Sequence, residues 1–425
     1  MSRRKRKILI VVESIDVEDS SGSKANVALI KNICKAGFKV VVYHYTHKDI
    51  HLEGIRCIAL KENRKSLLFF LSRLERYIRY TSKISLNIYI EKLFGFSFTY
   101  LNDKNSIASG LGKIQDFNPD LVITLSKGAS FRPHHALLQL PQYHPKWMAY
   151  IHDPYPRHSY PRPYDYVEPG HQQKRNFFLK VAEKAGYVAY PSKMLAEWME
   201  SYFPLLKGKS VIIPHQLNHE IRNDDLPDFF NKKAFTILHA GALLGARNPF
   251  FLITAFQKFL EKFPEAKENS QLFFIGEQSN YISQFSEFKK IIPQLYSSDG
   301  YVPYSTVLAL QQFTSVNLIL EAKSSISPFL PGKFPHCIMA GKPIFLLGPY
   351  YSECKRLLGI DYPYWSEIDD VDKISDIISS LYLQWRENPA ELRLKRPDLE
   401  HYLSAKHLKE TIERLLTIYT RRELD

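Results

Sequence analysis

Two doubly wound α/β units in succession are predicted by three observations. At 425 residues the chain is too long for one compact core and long enough for two. Its strand candidates are short, continuous β-branched runs such as Lys7–Glu13 (KILIVVE), the pattern of parallel strands buried on both faces. The strand–helix rhythm that begins there starts afresh at Phe235–Ala240 (FTILHA).

In order, Lys7–Glu13 is the first strand, and Asp16–Ser23 an acidic then Ser/Gly-rich loop. Lys24–Ala36 is a helix with Val27, Ile30, Ile33 and Cys34 at helical spacing, stopped by Gly37. Lys39–Tyr45 (KVVVYHY) completes a βαβ unit. Further strands are predicted at Asp120–Leu125, Trp147–His152, Tyr187–Tyr190 and Val211–Pro214. An irregular stretch, Asn223–Phe230, places the domain boundary within 216–232, giving domains 1–218 and 219–425. In the second half Asn248-Pro249 opens a helix to about Phe263, with proline where its missing N–H costs nothing. Strands recur at Gln271–Ile275, Val316–Glu321 and Pro343–Leu347. A last helix, about Ala405–Arg421, carries Leu408, Ile412, Leu415 and Leu416 on one face.

Residues 64–93 break the rhythm. Leu67, Phe70, Leu71, Leu74 and Ile78 share one helical face, and Lys65, Arg76, Arg79 and Lys83 lie on the other. Two readings stand: a core helix whose apolar face packs on its own sheet, or a helix resting on anionic lipid.

Composition narrows the partners. Lys and Arg number 57 against 44 Asp and Glu, a net charge of +13, so an anion is expected: nucleic acid, nucleotide phosphates or an acidic membrane surface. Cys34, Cys57, Cys337 and Cys354 are scattered with no CxxC pair, which favours reduced thiols in the cytoplasm over disulfides or zinc. The basic start Ser2–Lys7 is followed by an apolar run, Ile8–Val12, too short for a signal core, and no stretch approaches the ~18 apolar residues of a membrane span. The expectation is a cytoplasmic protein able to sit peripherally on the inner face of the cell membrane. No Walker A, HExxH, GxSxG or first-turn GxGxxG occurs, and no RRM or KH signature, so ATP hydrolysis, dinucleotide chemistry and nucleic-acid binding lack their motifs. No Asp-x-Asp pair is seen that could hold a divalent ion beside a diphosphate, so no metal site is expected; the adjacent pairs Asp224-Asp225 and Asp369-Asp370 follow no core strand.

Four segments that follow predicted strands could carry chemistry, because ligands bind at the carboxyl ends of strands in open α/β sheets. The first is Asp19–Lys24, where Gly22 and Ser23 let the backbone approach a ligand. The second is Tyr150–His158, whose His152 and Asp153 can hydrogen-bond the hydroxyls of a polyol. In the third, Leu238–Pro249, Gly241 and Gly245 bracket a loop that sets Arg247 and Asn248 at a helix start, where a cation is poorly placed unless an anion lies there too. The fourth joins Glu321–Pro328, including Ser327, to Pro331-Gly332-Lys333. It puts Lys333 at the N-terminus of a short helix that leads through Ala340-Gly341-Lys342-Pro343 into a strand.

This ordered set, with Leu272–Gly276 and Asp299–Tyr304 between the last two segments, resembles the GT-B-fold glycosyltransferases, most of all the retaining family 4 type, over nearly the whole chain. The resemblance implies two Rossmann-like domains facing across a cleft, with a final helix able to cross back to the first. It implies transfer of a sugar from a nucleotide-sugar donor, with retention and without metal or cofactor, to a polysaccharide or lipid-linked acceptor. Arg247, Lys333 and Asn248 would then hold the donor diphosphate, His152 and Asp153 would face sugar and acceptor, and Gly22, Ser23, Gly241 and Ser327 would line the substrate. The chain departs from the family where Ala242 follows Gly241, where Asn248 stands in place of a lysine, and where Pro328 and His336 fall near a missing pair of glutamates. A sugar-nucleotide epimerase, a phosphorylase and a non-catalytic relative are the alternatives.

Overall fold

The computed structural model describes residues 4–46, 48–217, 226–243, 245–277, 281–298 and 300–422, side chains only to 417. Ser2, Arg3, Asp224-Asp225, Leu244 and Asp299, all singled out in the sequence, lie outside the described residues.

The chain forms two compact units. The first comprises the chain to Tyr160, Asp165–Gln216 and the C-terminal segment from Ser404; the second comprises Pro161–Tyr164 and Leu217–Leu403.

The first unit holds a seven-stranded, all-parallel sheet: β1 (Lys7–Val12), β2 (Lys39–His44), β3 (Arg56–Ala59), β4 (Leu121–Leu125), β5 (Trp147–Tyr150), β6 (Tyr187–Tyr190) and β7 (Ser210–Ile212), in the order β3-β2-β1-β4-β5-β6-β7. Its helices are α1 (Ser21–Lys35), α2 (Leu67–Ser82), α3 (Asn87–Phe94), α4 (Phe98–Leu111), α5 (Arg132–Leu137), α6 (His171–Lys184) and α7 (Lys193–Tyr202). The β-branched run of β1 is sealed on both faces. Ile8, Ile10 and Val12 enter one apolar layer with Ile30 and Ile123, and Leu9 and Val11 enter the other with Val122 and Trp147. β1 pairs β2 from Lys7↔Lys39 and β4 from Ile8↔Leu121, so the strand order reverses between β1 and β4.

The second unit repeats the scheme with six parallel strands. β8 (Phe235–Ala240), β9 (Ser270–Ile275), β10 (Leu295–Ser297), β11 (Val316–Leu320), β13 (Ile344–Leu347) and β15 (Trp365–Ser366) lie in the order β10-β9-β8-β11-β13-β15. A two-stranded sheet joins β12 (Ile326–Ser327) to β14 (Tyr351–Ser352). The helices are α8 (Phe250–Lys262), α9 (Ala266–Asn269), α10 (Ile282–Ile291), α11 (Tyr304–Phe313), α12 (Phe334–Met339), α13 (Glu353–Leu358), α14 (Val371–Glu387) and α15 (Pro397–Tyr402). Here the order reverses between β8 and β11, paired Val316↔Ile237 to Leu318↔His239.

The last helix, α16 (Ala405–Arg422), belongs to the first unit. Leu408, Ile412, Leu415 and Leu416 are buried in the layer that holds Ile8 and Ile10, and Tyr187 Oη donates to the Leu415 carbonyl at 3.4 Å. Each of those side chains contributes about 1.5–3 kcal/mol of burial, which explains why this helix packs where it does.

Three local expectations are corrected. α1 begins at Ser21, not Lys24, because the Ser20 hydroxyl accepts the Ser23 N–H at 3.1 Å; Gly22 and Ser23 thus lie in its first turn and not in the loop. α8 begins at Phe250, with the Asn248 carboxamide oxygen accepting the Phe250 N–H at 2.8 Å, so Arg247 precedes the helix by three residues. The helix expected near Lys65–Lys83 is α2, which Lys83 ends in the left-handed region at φ +57°, and α3 follows it. The core reading of α2 fails for most of its apolar face: Leu67, Phe70 and Leu74 are exposed, Leu71 and Ile78 are half-buried, and the fully buried residues are Ser72 and Glu75. No helix among the described residues is long and apolar enough to cross a membrane.

Candidate active site

In the second unit the polar groups gather where the strand order reverses, the crevice at which open α/β sheets bind ligands. His239 is the fifth residue of β8, buried among apolar neighbours, and Glu321 directly follows β11. Lys333, the N-cap residue of α12, does not extend into solvent. Its Nζ lies 3.1 Å from His239 Nδ1 and 3.2 Å from the Leu318 carbonyl oxygen, spanning the two strands on either side of the reversal. With Nδ1 accepting from the ammonium, the neutral imidazole carries its proton on Nε2. Burial holds His239 well below the usual histidine range, and the charges of Lys333 and Arg247 push it the same way.

Arg247 is close enough to bear electrostatically on Lys333, His239 and Glu321. Its Nε is buried with no hydrogen-bond partner among the described residues, and His239 Nε2 makes no hydrogen bond of ordinary geometry there. The Lys333 ammonium is held down to about 7, chiefly by burial, with nearby Cys337 opposing and Arg247 assisting. Glu321 is raised to about 7, again by burial, with the Ser327 and Ser352 hydroxyls acting in the other direction. Ser327 Oγ donates to Glu321 Oε1 at 3.1 Å. Gly348 makes room for this carboxylate, because a Cβ there would stand 2.5 Å from Glu321 Oε2. Two cations and a histidine thus gather, with Arg247 Nε unspent among the described residues, an arrangement chemically suited to an anion.

Gly241 follows β8 at φ +134°, a conformation side chains rarely adopt, and its N–H donates to the Ile275 carbonyl at 2.8 Å. Asn248 spends its carboxamide oxygen on the α8 N-terminus. Asp370-Val371-Asp372, an Asp-x-Asp triplet that the sequence reading passed over, serves the start of α14: Asp370 accepts the Lys373 N–H at 3.1 Å, and Asp372 accepts from Lys258 Nζ at 2.8 Å.

The first unit has its own polar group beside its strand reversal. His152 lies two residues beyond β5, buried. Its N–H donates to Ser126 Oγ at 3.1 Å and its Nε2 lies 2.7 Å from Asn26 Oδ1. Asn26 Nδ2 donates to the Ser126 carbonyl at 2.9 Å, so Oδ1 must accept, Nε2 carries the proton, and Nδ1 holds the lone pair. Burial lowers the His152 pKa well below the ordinary value, helped by His215, whose ring stacks at 5.3 Å, and by His134; the imidazole is neutral at pH 7. A neutral, oriented Nδ1 can accept a hydrogen bond from a hydroxyl. Asp153 follows, half-buried. Gly22 lies one turn before Asn26 on α1, where a Cβ would make ordinary contacts with Lys127 and Gly128, and Ser23 Oγ is held by Ser20.

The structure therefore brings Arg247 within electrostatic reach of Lys333 and joins Ser327 to Glu321. It groups His152 with Asn26, Ser126 and His215. His239, Glu321, Asn26 and His215 were missed as site residues in the sequence. The available signal was positional for two of them: His239 is a lone polar residue near the end of an apolar strand, and Glu321 directly follows one.

No family model matches the chain, and no curated protein is similar to it in sequence. Solved structures are similar along nearly its whole length. One is a trehalose-6-phosphate synthase, OtsA, with a TM-score of 0.64 at 11% identity, covering 97% of this chain and 99% of that chain. Another is an α,α-trehalose-phosphate synthase (UDP-forming) from Burkholderia xenovorans in complex with glucose-6-phosphate, with a TM-score of 0.62 at 9% identity and coverages of 97% and 100%. A third is WaaG, a glycosyltransferase involved in lipopolysaccharide biosynthesis, with a TM-score of 0.53 at 11% identity and coverages of 97% and 99%. At these identities the likeness is one of fold: the chain has the GT-B architecture of two Rossmann-like domains.

Proposed function

We propose that this chain is a glycosyltransferase that moves a hexosyl group from a nucleoside diphosphate donor to a glycan or lipid-linked acceptor, with retention and without a metal ion. The observation that carries the reading is the gathering of Lys333, Arg247 and His239 at the strand reversal of the second unit, with Arg247 Nε unpartnered among the described residues. A diphosphate supplies the anion this group lacks, and the same cations stabilise the charge that grows on it as it leaves. The bond from the sugar's anomeric carbon to the diphosphate oxygen breaks, a bond to the acceptor oxygen forms, and the acceptor's proton departs on the nucleoside diphosphate. We assign His152 and Asp153 to the sugar and acceptor hydroxyls, Gly241 and Ser327 to the donor side, and Gly22 and Ser23 to the acceptor side. The fold likeness supports a nucleotide-sugar donor, since one similar structure is of an E. coli protein bound with UDP-2-fluoro glucose. We place the enzyme in the cytoplasm, on the inner face of the cell membrane, in the synthesis of a cell-surface polysaccharide.

The test is donor affinity against pH. Lys333 binds a diphosphate as the ammonium, and a neutral Glu321 repels it least. Both groups sit near pH 7, so both favour binding below that value and oppose it above. Calorimetry with the correct nucleotide sugar, whose phosphates do not titrate in this range, should show affinity falling by up to about tenfold per pH unit for each of the two groups as pH rises above 7. Binding should take up protons, read as a dependence of the heat on the buffer's ionisation enthalpy. Glu321→Gln should make the dependence shallower, leaving the part due to Lys333, with the low-pH affinity intact. Affinity flat from pH 6 to 9 would remove Lys333 and Glu321 from the donor site.

A further inference from the structure

The α2–α3 segment is inside out. Along α2, Phe70, Leu74 and Tyr77 recur at helical spacing and are 61%, 54% and 67% exposed, while Ser72 and Glu75 turn inward and are 4% and 6% exposed. Polar contacts hold the start of the helix: Ser66 Oγ donates to Asn102 Oδ1 at 2.5 Å, and the Asn63 N–H donates to Ser106 Oγ at 2.9 Å. α3 continues the surface with Ile88, Tyr89, Leu93 and Phe94 exposed. An apolar area spread over two successive helices exceeds the singly scattered apolar residues normal on a soluble surface.

Charge identifies what covers it. Residues 67–94 carry five basic side chains, Arg73, Arg76, Arg79, Lys83 and Lys92, against two acidic ones. Glu91 accepts from Lys174 Nζ at 2.9 Å, Glu75 lies 3.9 Å from Arg79 Nε, and Glu62 lies 3.7 Å from Arg73, so Arg73 and Arg79 are partly offset while five bases against two acids still leave residues 67–94 net positive. A second copy would set arginines against arginines, whereas an anionic headgroup layer complements them. Tyr77, Tyr80 and Tyr89 suit the same boundary, each a ring with a polar tip, and arginine stems can lie along apolar surface while their guanidinium groups reach phosphates.

We propose that the outward face of α2 and α3 docks on an anionic lipid bilayer, its leucines and phenylalanines inserted and its arginines on the headgroups. Its purpose rests on the lipid-linked-acceptor reading above: the face would hold the enzyme where such an acceptor resides.

Co-sedimentation of the full chain with vesicles tests this. The wild type should pellet with phosphatidylglycerol/phosphatidylcholine vesicles at low salt, less at high salt, and not with phosphatidylcholine alone. Replacing Arg73, Arg76 and Arg79 together by Gln should lower the partition coefficient on the order of 100-fold. Phe70→Ser with Leu74→Ser should abolish pelleting at equal charge, with the melting temperature and nucleotide-sugar affinity of the wild type. Wild type left in the supernatant with anionic vesicles overturns the proposal. So does a concentration-dependent dimer, seen by sedimentation velocity and abolished by Leu74→Ser, in a protein that binds no vesicles. Nucleotide-sugar binding in the same preparation separates the two readings. Vesicle binding lost with nucleotide binding intact overturns the docking face alone; vesicle binding with no nucleotide-sugar affinity leaves the face standing and overturns the transferase.

Discussion

Lys333→Ala should lower kcat/KM for the correct donor by roughly 30- to 1000-fold while the protein stays folded. The ammonium is the group that reaches both strands of the reversal, touching His239 Nδ1 and the Leu318 carbonyl. A charge-assisted contact to a leaving diphosphate is worth about 2–4 kcal/mol in the transition state, which sets that range. Removing a half-buried ammonium whose own protonation is disfavoured should cost little stability. Arg247→Ala should act in the same way, and the two losses together should be less than additive, because in the proposed site both cations serve one anion. Losses that add in a double-mutant cycle would assign them to separate sites, and wild-type kcat/KM in Lys333→Ala would remove that residue from the chemistry.

His152→Ala should impair transfer without impairing nucleotide binding. Its Nε2–H is committed to Asn26 Oδ1, which fixes the ring and presents the lone pair of Nδ1 as the acceptor for a hydroxyl. Losing that neutral hydrogen bond should cost about 0.5–1.5 kcal/mol, roughly 2- to 13-fold in kcat. The melting temperature should fall as well, since Asn26 loses a buried partner. A merely structural role would lower stability alone, so the separating readout is kcat with calorimetric affinity for the bare nucleotide. Collapse of that affinity would place His152 on the donor side and contradict the assignment.

Much of the fold is legible because parallel strands buried on both faces read as unbroken apolar runs. KILIVVE, DLVITL and FTILHA each mark a central strand to within a residue or two. The strand orders are less legible, since pairing β11 with β8 and β13 joins segments far apart in the chain. The direction taken by α2 is not legible at all. Its 3.6-residue period fixes which residues share a face, but is the same whichever face turns inward, and the inward side goes to Ser72 and Glu75. At the donor side the sequence marks Lys333 by its place before a short helix. That its amine turns back to His239 depends on the register Leu318↔His239, a long-range property. The start of α1 moved by three residues because one serine cap outweighs the loop composition around it. Asn26 reaches His152 across 126 residues, and no local pattern announces such a pair.

The central claim is that the second unit holds a nucleoside diphosphate sugar by cations rather than by a metal. The most direct measurement is release of nucleoside diphosphate from a panel of UDP- and GDP-sugars, incubated with the full chain and a glycan or lipid-linked acceptor in excess EDTA. The account predicts that one donor is consumed, that release continues undiminished in EDTA, and that Lys333→Ala nearly abolishes it. Release that stops in EDTA and returns with Mg²⁺ or Mn²⁺, or persists unchanged in Lys333→Ala, would contradict it.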